Sequence, residues 1–166
     1  MTPTRYISGI AHKEMPGVCP ACERDIKWPV FVCDGYDTDG KPTNEVAVGS
    51  GCARKLVGLP PKKGGDRATK AERDMLDAIT KARRDAFMAL VPTLPDRALR
   101  LRVAPMTIMG RPLDEAACSL GSVLLGCLES MSVENAVKWI RRTDARLESG
   151  QFPTLPRGYT LAEVKQ

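Results

Sequence analysis

The chain has 166 residues, room for one domain or for a small module joined to a second body, and 43% of them are hydrophobic with only 5% aromatic. It contains no run of about 18 apolar residues, so no membrane-spanning helix is expected, and Met1 to Tyr6 lacks the apolar core of a signal peptide. The net charge of +5 is uneven: residues 1–58 carry 7 Lys/Arg against 7 Asp/Glu, residues 59–111 carry 12 against 6, and residues 112–166 carry 6 against 7, which makes the middle of the chain the candidate surface for an anionic partner or else a solvated helix face.

Arg5 to Ile10 predicts a short strand leading to His12, and Met15-Pro16-Gly17 turns the chain into Cys19-Pro20-Ala21-Cys22. Ile26 to Cys33 is rich in β-formers, with Pro29 restricting it to an edge or delaying its start. Asp34-Gly35 and Asp39-Gly40 bracket a turn, and Glu45 to Val48 returns as a second strand. Cys52 then stands directly before an apolar-periodic run, at the start of a short helix over Ala53 to Val57 that Gly58 stops.

Leu59 to Gly65 reads as a linker, and Thr69-Lys70-Ala71-Glu72 matches a capping box that opens an amphipathic helix to about Val91. The apolar set Met75, Leu76, Ile79, Ala82, Ala86, Phe87 and Leu90 has helical spacing, and Pro92 ends it. Asp96 to Val103 predicts another short helix. Pro112 fits the first position of a helix reaching about Ser130, whose Gly121 and Gly126 invite close packing. Ser132 caps the next helix, which Ser149-Gly150 closes, and the tail from Gln151 reads as irregular with a final turn at Leu161 to Glu163. The expected organisation is α+β: a zinc-bound β-hairpin module over 1–58, a linker over 59–66, a mainly α-helical bundle over 67–150 and a tail over 151–166.

The six cysteines are unevenly spread, and Cys-x-x-Cys without a leader predicts metal or redox chemistry in a reducing, cytoplasmic setting. A knuckle, a hairpin and a cysteine at a helix N-terminus, in that order, is the arrangement of a treble-clef or ribbon-like zinc module. The free N–H groups of a first helical turn favour a thiolate there. Cys19, Cys22 and Cys52 are therefore assigned to Zn²⁺. The fourth ligand is His12 or Cys33. Four-cysteine sites are common, but Cys33 falls at the turn end of the hairpin, several residues of about 3.3 Å each from the knuckle, whereas His12 needs only a short loop to fold back. A redox pair at Cys19/Cys22 lacks a βαβ context. Cys118 and Cys127, nine apart on one predicted helix, point to nearly opposite sides and read as core.

His12-Lys13-Glu14 reads His-x-Glu, but the gap to Cys19 is too short and Pro20 follows the first cysteine rather than preceding it, which argues against zinc deaminase chemistry. One histidine in the whole chain leaves acid–base catalysis poorly supplied, and no phosphate loop or nucleophile elbow is present. The stretch Cys19-x-x-Cys22 followed by Val48-Gly49-Ser50-Gly51-Cys52-Ala53-Arg54-Lys55-Leu56 resembles a zinc-finger pattern of small bacteriophage and bacterial proteins, mostly of unknown function. In these the knuckle continues with Gly-Arg, whereas here Glu23 stands in the glycine position and Arg24 is kept. The resemblance covers about residues 5–58 and implies a zinc fold and a phage origin, without an activity.

The expected function is non-enzymatic: a nucleic-acid-binding accessory protein, with Lys62, Lys63, Lys70, Arg73, Arg83, Arg84, Arg97, Arg100 and Arg102 meeting phosphates. The small number of aromatic residues argues against base stacking on a single strand, and Asp74, Asp77 and Asp85 interrupt the basic stripe. The alternative is a module that captures or inhibits a host protein, with Trp28, Phe31 and Tyr36 as anchors or simply as cover for the hairpin.

Overall fold

Short runs of Val and Ile alternate near the N-terminus, and such runs become stable only when several pair over a common core. In a computed structural model, which describes residues 5–62, 67–106 and 117–162, they do so as small antiparallel sheets. Strand β1 (Tyr6–Ile10) leads to β2 (Gly17–Val18) and β3 (Asp25–Ile26), which pair as a tight hairpin around the knuckle. Next come β4 (Val30–Cys33), β5 (Gly35–Tyr36), β6 (Pro42–Thr43) and β7 (Val46–Val48). The main sheet has the order β1-β4-β7, with Ile10 opposite Val30 and Val30 opposite Val48. Pro29 precedes β4, so its missing N–H removes nothing from the ladder. At the far turn Asp37 accepts from the N–H groups of Asp39 and Lys41, both at 2.9 Å.

Helix α1 (Ser50–Leu56) ends in a Schellman motif: Gly58 has φ +74°, its N–H donates to Lys55 O, and Leu59 N–H donates to Arg54 O at 2.8 Å. Helix α2 (Arg67–Leu90) follows. It starts before Thr69, so Thr69 lies inside the helix and the expected capping box is not its N-terminus. Met75 and Ile79 of α2 join Ile7, Val30, Val32, Val48 and Ala53 in one core. The chain accordingly packs as two units, Met1–Ala86 and Phe87–Gln166. The division falls within α2 instead of at 59–66, because the apolar stripe of the helix covers the sheet.

Arg54 ties this arrangement together. It is 2% exposed, and its guanidinium donates to the carbonyl oxygens of Pro60 and, at 2.9 Å, Ala71, and faces Asp74 at 3.6 Å. Residues 57–60 are therefore clamped between α1 and α2.

In the second unit, a 3₁₀ turn over Val91–Thr93 contains Pro92 and is followed by α3 (Asp96–Leu99). The predicted helix over Asp96 to Val103 stops early: Arg102–Pro105 forms strand β8, with β9 (Cys118–Ser119) on one side and β10 (Tyr159–Leu161) on the other. Val103 and Ala104 are buried in this sheet, which explains why an arginine-flanked apolar pair is extended rather than helical. The expected helix start at Pro112 lies outside the described residues. Helix α4 (Leu120–Cys127) begins instead where Ser119 caps it, accepting from Ser122 N–H. Cys118 thus sits on a strand, and the tail contributes β10 rather than staying irregular. Helix α5 (Val133–Glu148) is capped by Ser132 as expected. A Cβ on Gly121 would approach the Leu99 side chain and carbonyl to 3.2 and 3.3 Å, so this glycine does admit close packing; Gly126 meets nothing within 4 Å. Among the described residues no helix is long and apolar enough to cross a membrane.

Candidate metal centre

A Cys-x-x-Cys turn between two short strands folds its backbone around the first sulfur. Cys19 N–H donates to Arg24 O at 2.9 Å, and Cys19 O accepts from Cys22 N–H at 3.3 Å and Glu23 N–H at 2.8 Å. Closing this turn requires Glu23 to take φ +58°, the left-handed region glycine occupies at least strain.

From the other side, β7 delivers Gly49, whose N–H points at Cys19 Sγ at 3.4 Å, and three residues later Cys52 in the first turn of α1. The Sγ atoms of Cys19, Cys22 and Cys52 all lie within 4.8 Å of one another. Zn–S bonds of about 2.3 Å in a tetrahedron place sulfurs about 3.8 Å apart, a spacing of the same order as this grouping, so the donor set is compatible with a thiophilic cation. Cys19 is fully buried, Cys52 half-buried and Cys22 exposed, which gives the centre one face open to solvent.

The sulfurs shift one another's protonation in opposite directions. Burial pushes the Cys19 thiol up, but the N–H groups of Gly49 and Ala21 and the Cys22 and Cys52 thiols outweigh it and bring it from 9.0 down to about 7. Cys52 moves the other way, to about 11, through its hydrogen bond with Cys22, burial and the neighbouring sulfurs. Three thiolates this close repel one another, and a divalent ion removes that repulsion.

The two candidates for a fourth ligand are placed differently. Cys33 ends β4 opposite Tyr6, three residues or roughly 10 Å along the strand from Val30, and is buried with its thiol pushed up by desolvation. His12 is exposed and stands two residues beyond Ile10, at the sheet end from which β7 runs to Gly49. Neither joins the three-sulfur group, and neither do Cys118 and Cys127.

The basic residues divide between the units. Lys62, Lys70, Arg73 and Arg84 are exposed on the first, and Arg83 reaches Ser8 O at 3.3 Å. Lys63 lies outside the described residues. On the second unit Arg97 is paired with Asp144 at 2.9 Å, Arg100 with Asp96 at 2.8 Å, and Arg102 donates to Ala117 O at 2.6 Å. Of the suggested aromatic anchors, Trp28 is 52% exposed, whereas Phe31 and Tyr36 are half-buried and the Tyr36 hydroxyl is buried with no hydrogen-bond partner among the described residues. Sequence reasoning missed Arg54; the signal was a charged residue beside Ala53 on the inward side of a seven-residue helix. Comparison of the chain with known protein families, curated proteins and solved structures finds no match.

Proposed function

We propose that the protein is a non-enzymatic accessory protein, braced by zinc, that binds nucleic acid. The observation that carries the metal is the convergence of three thiol sulfurs within 4.8 Å. Zinc is the ion that three cysteines in a knuckle and a helix turn suit best, and His12, just upstream of the knuckle, would be the fourth ligand, with water as its competitor. The role of the ion is structural: it joins the hairpin of β2 and β3 to α1. The single histidine is then used by the metal, which leaves no imidazole for acid–base work.

Support for nucleic acid is the net charge of +5 and the exposed Lys62, Lys70, Arg73 and Arg102. Arg97 and Arg100 contribute less than their charge, since each already faces a carboxylate. The test is fluorescence anisotropy of the zinc-loaded chain with labelled duplex DNA, single-stranded DNA and RNA at low and near-physiological salt. Micromolar binding that weakens with salt is expected; no binding at low salt overturns the reading. Metal content by mass spectrometry, and the absorption of the cobalt-substituted protein with and without His12→Ala, test the ligand set.

One observation favours a second reading. Met15, Val18 and Trp28 are 43, 61 and 52% exposed around the knuckle hairpin, where Met15 N–H meets Lys27 O at 2.8 Å. A protein partner would seat on these side chains. In that case Trp28→Ala abolishes capture of the partner and leaves oligonucleotide binding unchanged.

A further inference from the structure

Helix α5 buries Val133, Ala136, Val137, Ile140 and Thr143. Its opposite side is patterned differently. Asn135, Lys138, Trp139, Arg142 and Arg146 fall at i, i+3, i+4, i+7 and i+11, which is one helical face. With Met131, the first four line a cavity of about 310 Å³, at the lower end of the roughly 300–1,000 Å³ typical of small-ligand sites. Just past the helix, Gly150 at φ +68° reverses the chain, with Gln151 N–H on Arg146 O at 2.8 Å. The Arg146 side chain then donates to Phe152 O at 3.0 Å, which fixes Phe152 at the C-terminal end of the same face. Phe152 is 80% exposed, more than any other large hydrophobic residue among those described. Large aromatic surface left in water beside cations is a feature of sites whose partner brings its own flat, anionic groups.

We propose that this face of α5 binds single-stranded nucleic acid. This rests on the nucleic-acid reading above and deepens it. One base stacks on Trp139 within the cavity, where the Asn135 amide offers both a donor and an acceptor to the base edge. A second stacks on Phe152. Phosphates lie along Lys138, Arg142 and Arg146, which rise over about 12 Å of helix. Lys138 is held by Glu134 at 2.7 Å, a partly exposed i,i+4 pair of the kind that yields readily to a phosphate. Single strands fit better than duplex because a stacked duplex hides its base faces from Trp139 and Phe152.

The chain has two tryptophans, so Trp28→Phe leaves Trp139 as the sole indole reporter. The zinc-loaded Trp28→Phe protein is titrated with 12-nucleotide dT, dA and rU strands and with a 12-base-pair duplex, read by quenching and by anisotropy. The expected result is quenching of Trp139, single strands preferred, and losses of roughly 5- to 150-fold for Trp139→Ala and for Phe152→Ala, with Trp139→Phe retaining most of the affinity. Phe152→Ala serves as the variant that cannot fail through misfolding, since the side chain is in solvent. If duplex binds as tightly as single strands and Phe152→Ala changes nothing, the single-strand site is overturned while nucleic-acid binding by other surfaces stands. If no oligonucleotide binds at low salt, both proposals fall.

Discussion

The first unit sets strands of two to five residues against α1 and most of α2, whereas the second carries α4, α5 and a small sheet. Among the twelve largest fully buried side chains, only Ile7, Val32 and Val48 lie in the first unit; Phe87, Leu120, Leu124, Leu128 and Ile140 lead the set in the second. Short strands with few large side chains in their core are the kind of structure that gains from a cross-link. The three cysteines sit where such a link joins the knuckle hairpin to α1. On the proposed reading, a metal held by Cys19, Cys22 and Cys52 would do in the first half what large aliphatic side chains do in the second.

Removing the link is the strongest way to break this comparison. Structural zinc contributes about 10–16 kcal/mol of apparent folding free energy in small zinc modules. Chelation, or Cys19→Ser, is therefore expected to abolish amide protection in β1, β4 and β7 while α4 and α5 keep theirs. Hydrogen exchange followed residue by residue checks this, and simultaneous loss in both units would show that the second has no stability of its own. The mirror experiment is Leu124→Ala, a fully buried position in α4. It is expected to cost about 2–5 kcal/mol in chemical denaturation without changing the zinc affinity of the first unit.

Arg54→Ala sharpens the comparison by testing the clamp that holds residues 57–60 against α2. It leaves the Pro60 and Ala71 carbonyls and Asp74 without their partner, a loss of about 2–4 kcal/mol. Arg54→Lys is expected to recover little, because one ammonium cannot reproduce the guanidinium fork. A smaller effect of opposite sign is expected for Glu23→Gly: relieving φ +58° in the knuckle stabilises by about 1 kcal/mol, visible as a higher melting temperature of the zinc-loaded protein. The smallest perturbation is chemical. Burial raises the Cys33 thiol, so in the zinc-loaded chain at pH 8 it stays protonated and escapes alkylation, and chelation that opens β4 is expected to make it reactive; peptide mass mapping of the loaded and chelated protein checks this.

Much of the first unit was legible because its signals are local. Cys19 and Cys22 define a turn, Cys52 sits at a helix start, Gly58 stops that helix through a positive φ, and the strands around Val30 and Val48 follow from β-branched runs bounded by turn residues. The mixed α+β composition and the caps at Ser132 and Gly150 were readable for the same reason. Tertiary structure alone decided the rest. Arg102 to Pro105 is a strand only because β9 and β10, distant in sequence, supply its hydrogen bonds. Residues 57–60 are held because Arg54 is buried between segments that periodicity cannot relate. The exclusion of Cys33 from the sulfur group depends on the register of β4 against β1 and β7. The face shared by Trp139 and Arg146, with Phe152 anchored at its end, depends on where the chain turns back after α5. Composition adds residues without regard to place, and stacking and coordination depend on place.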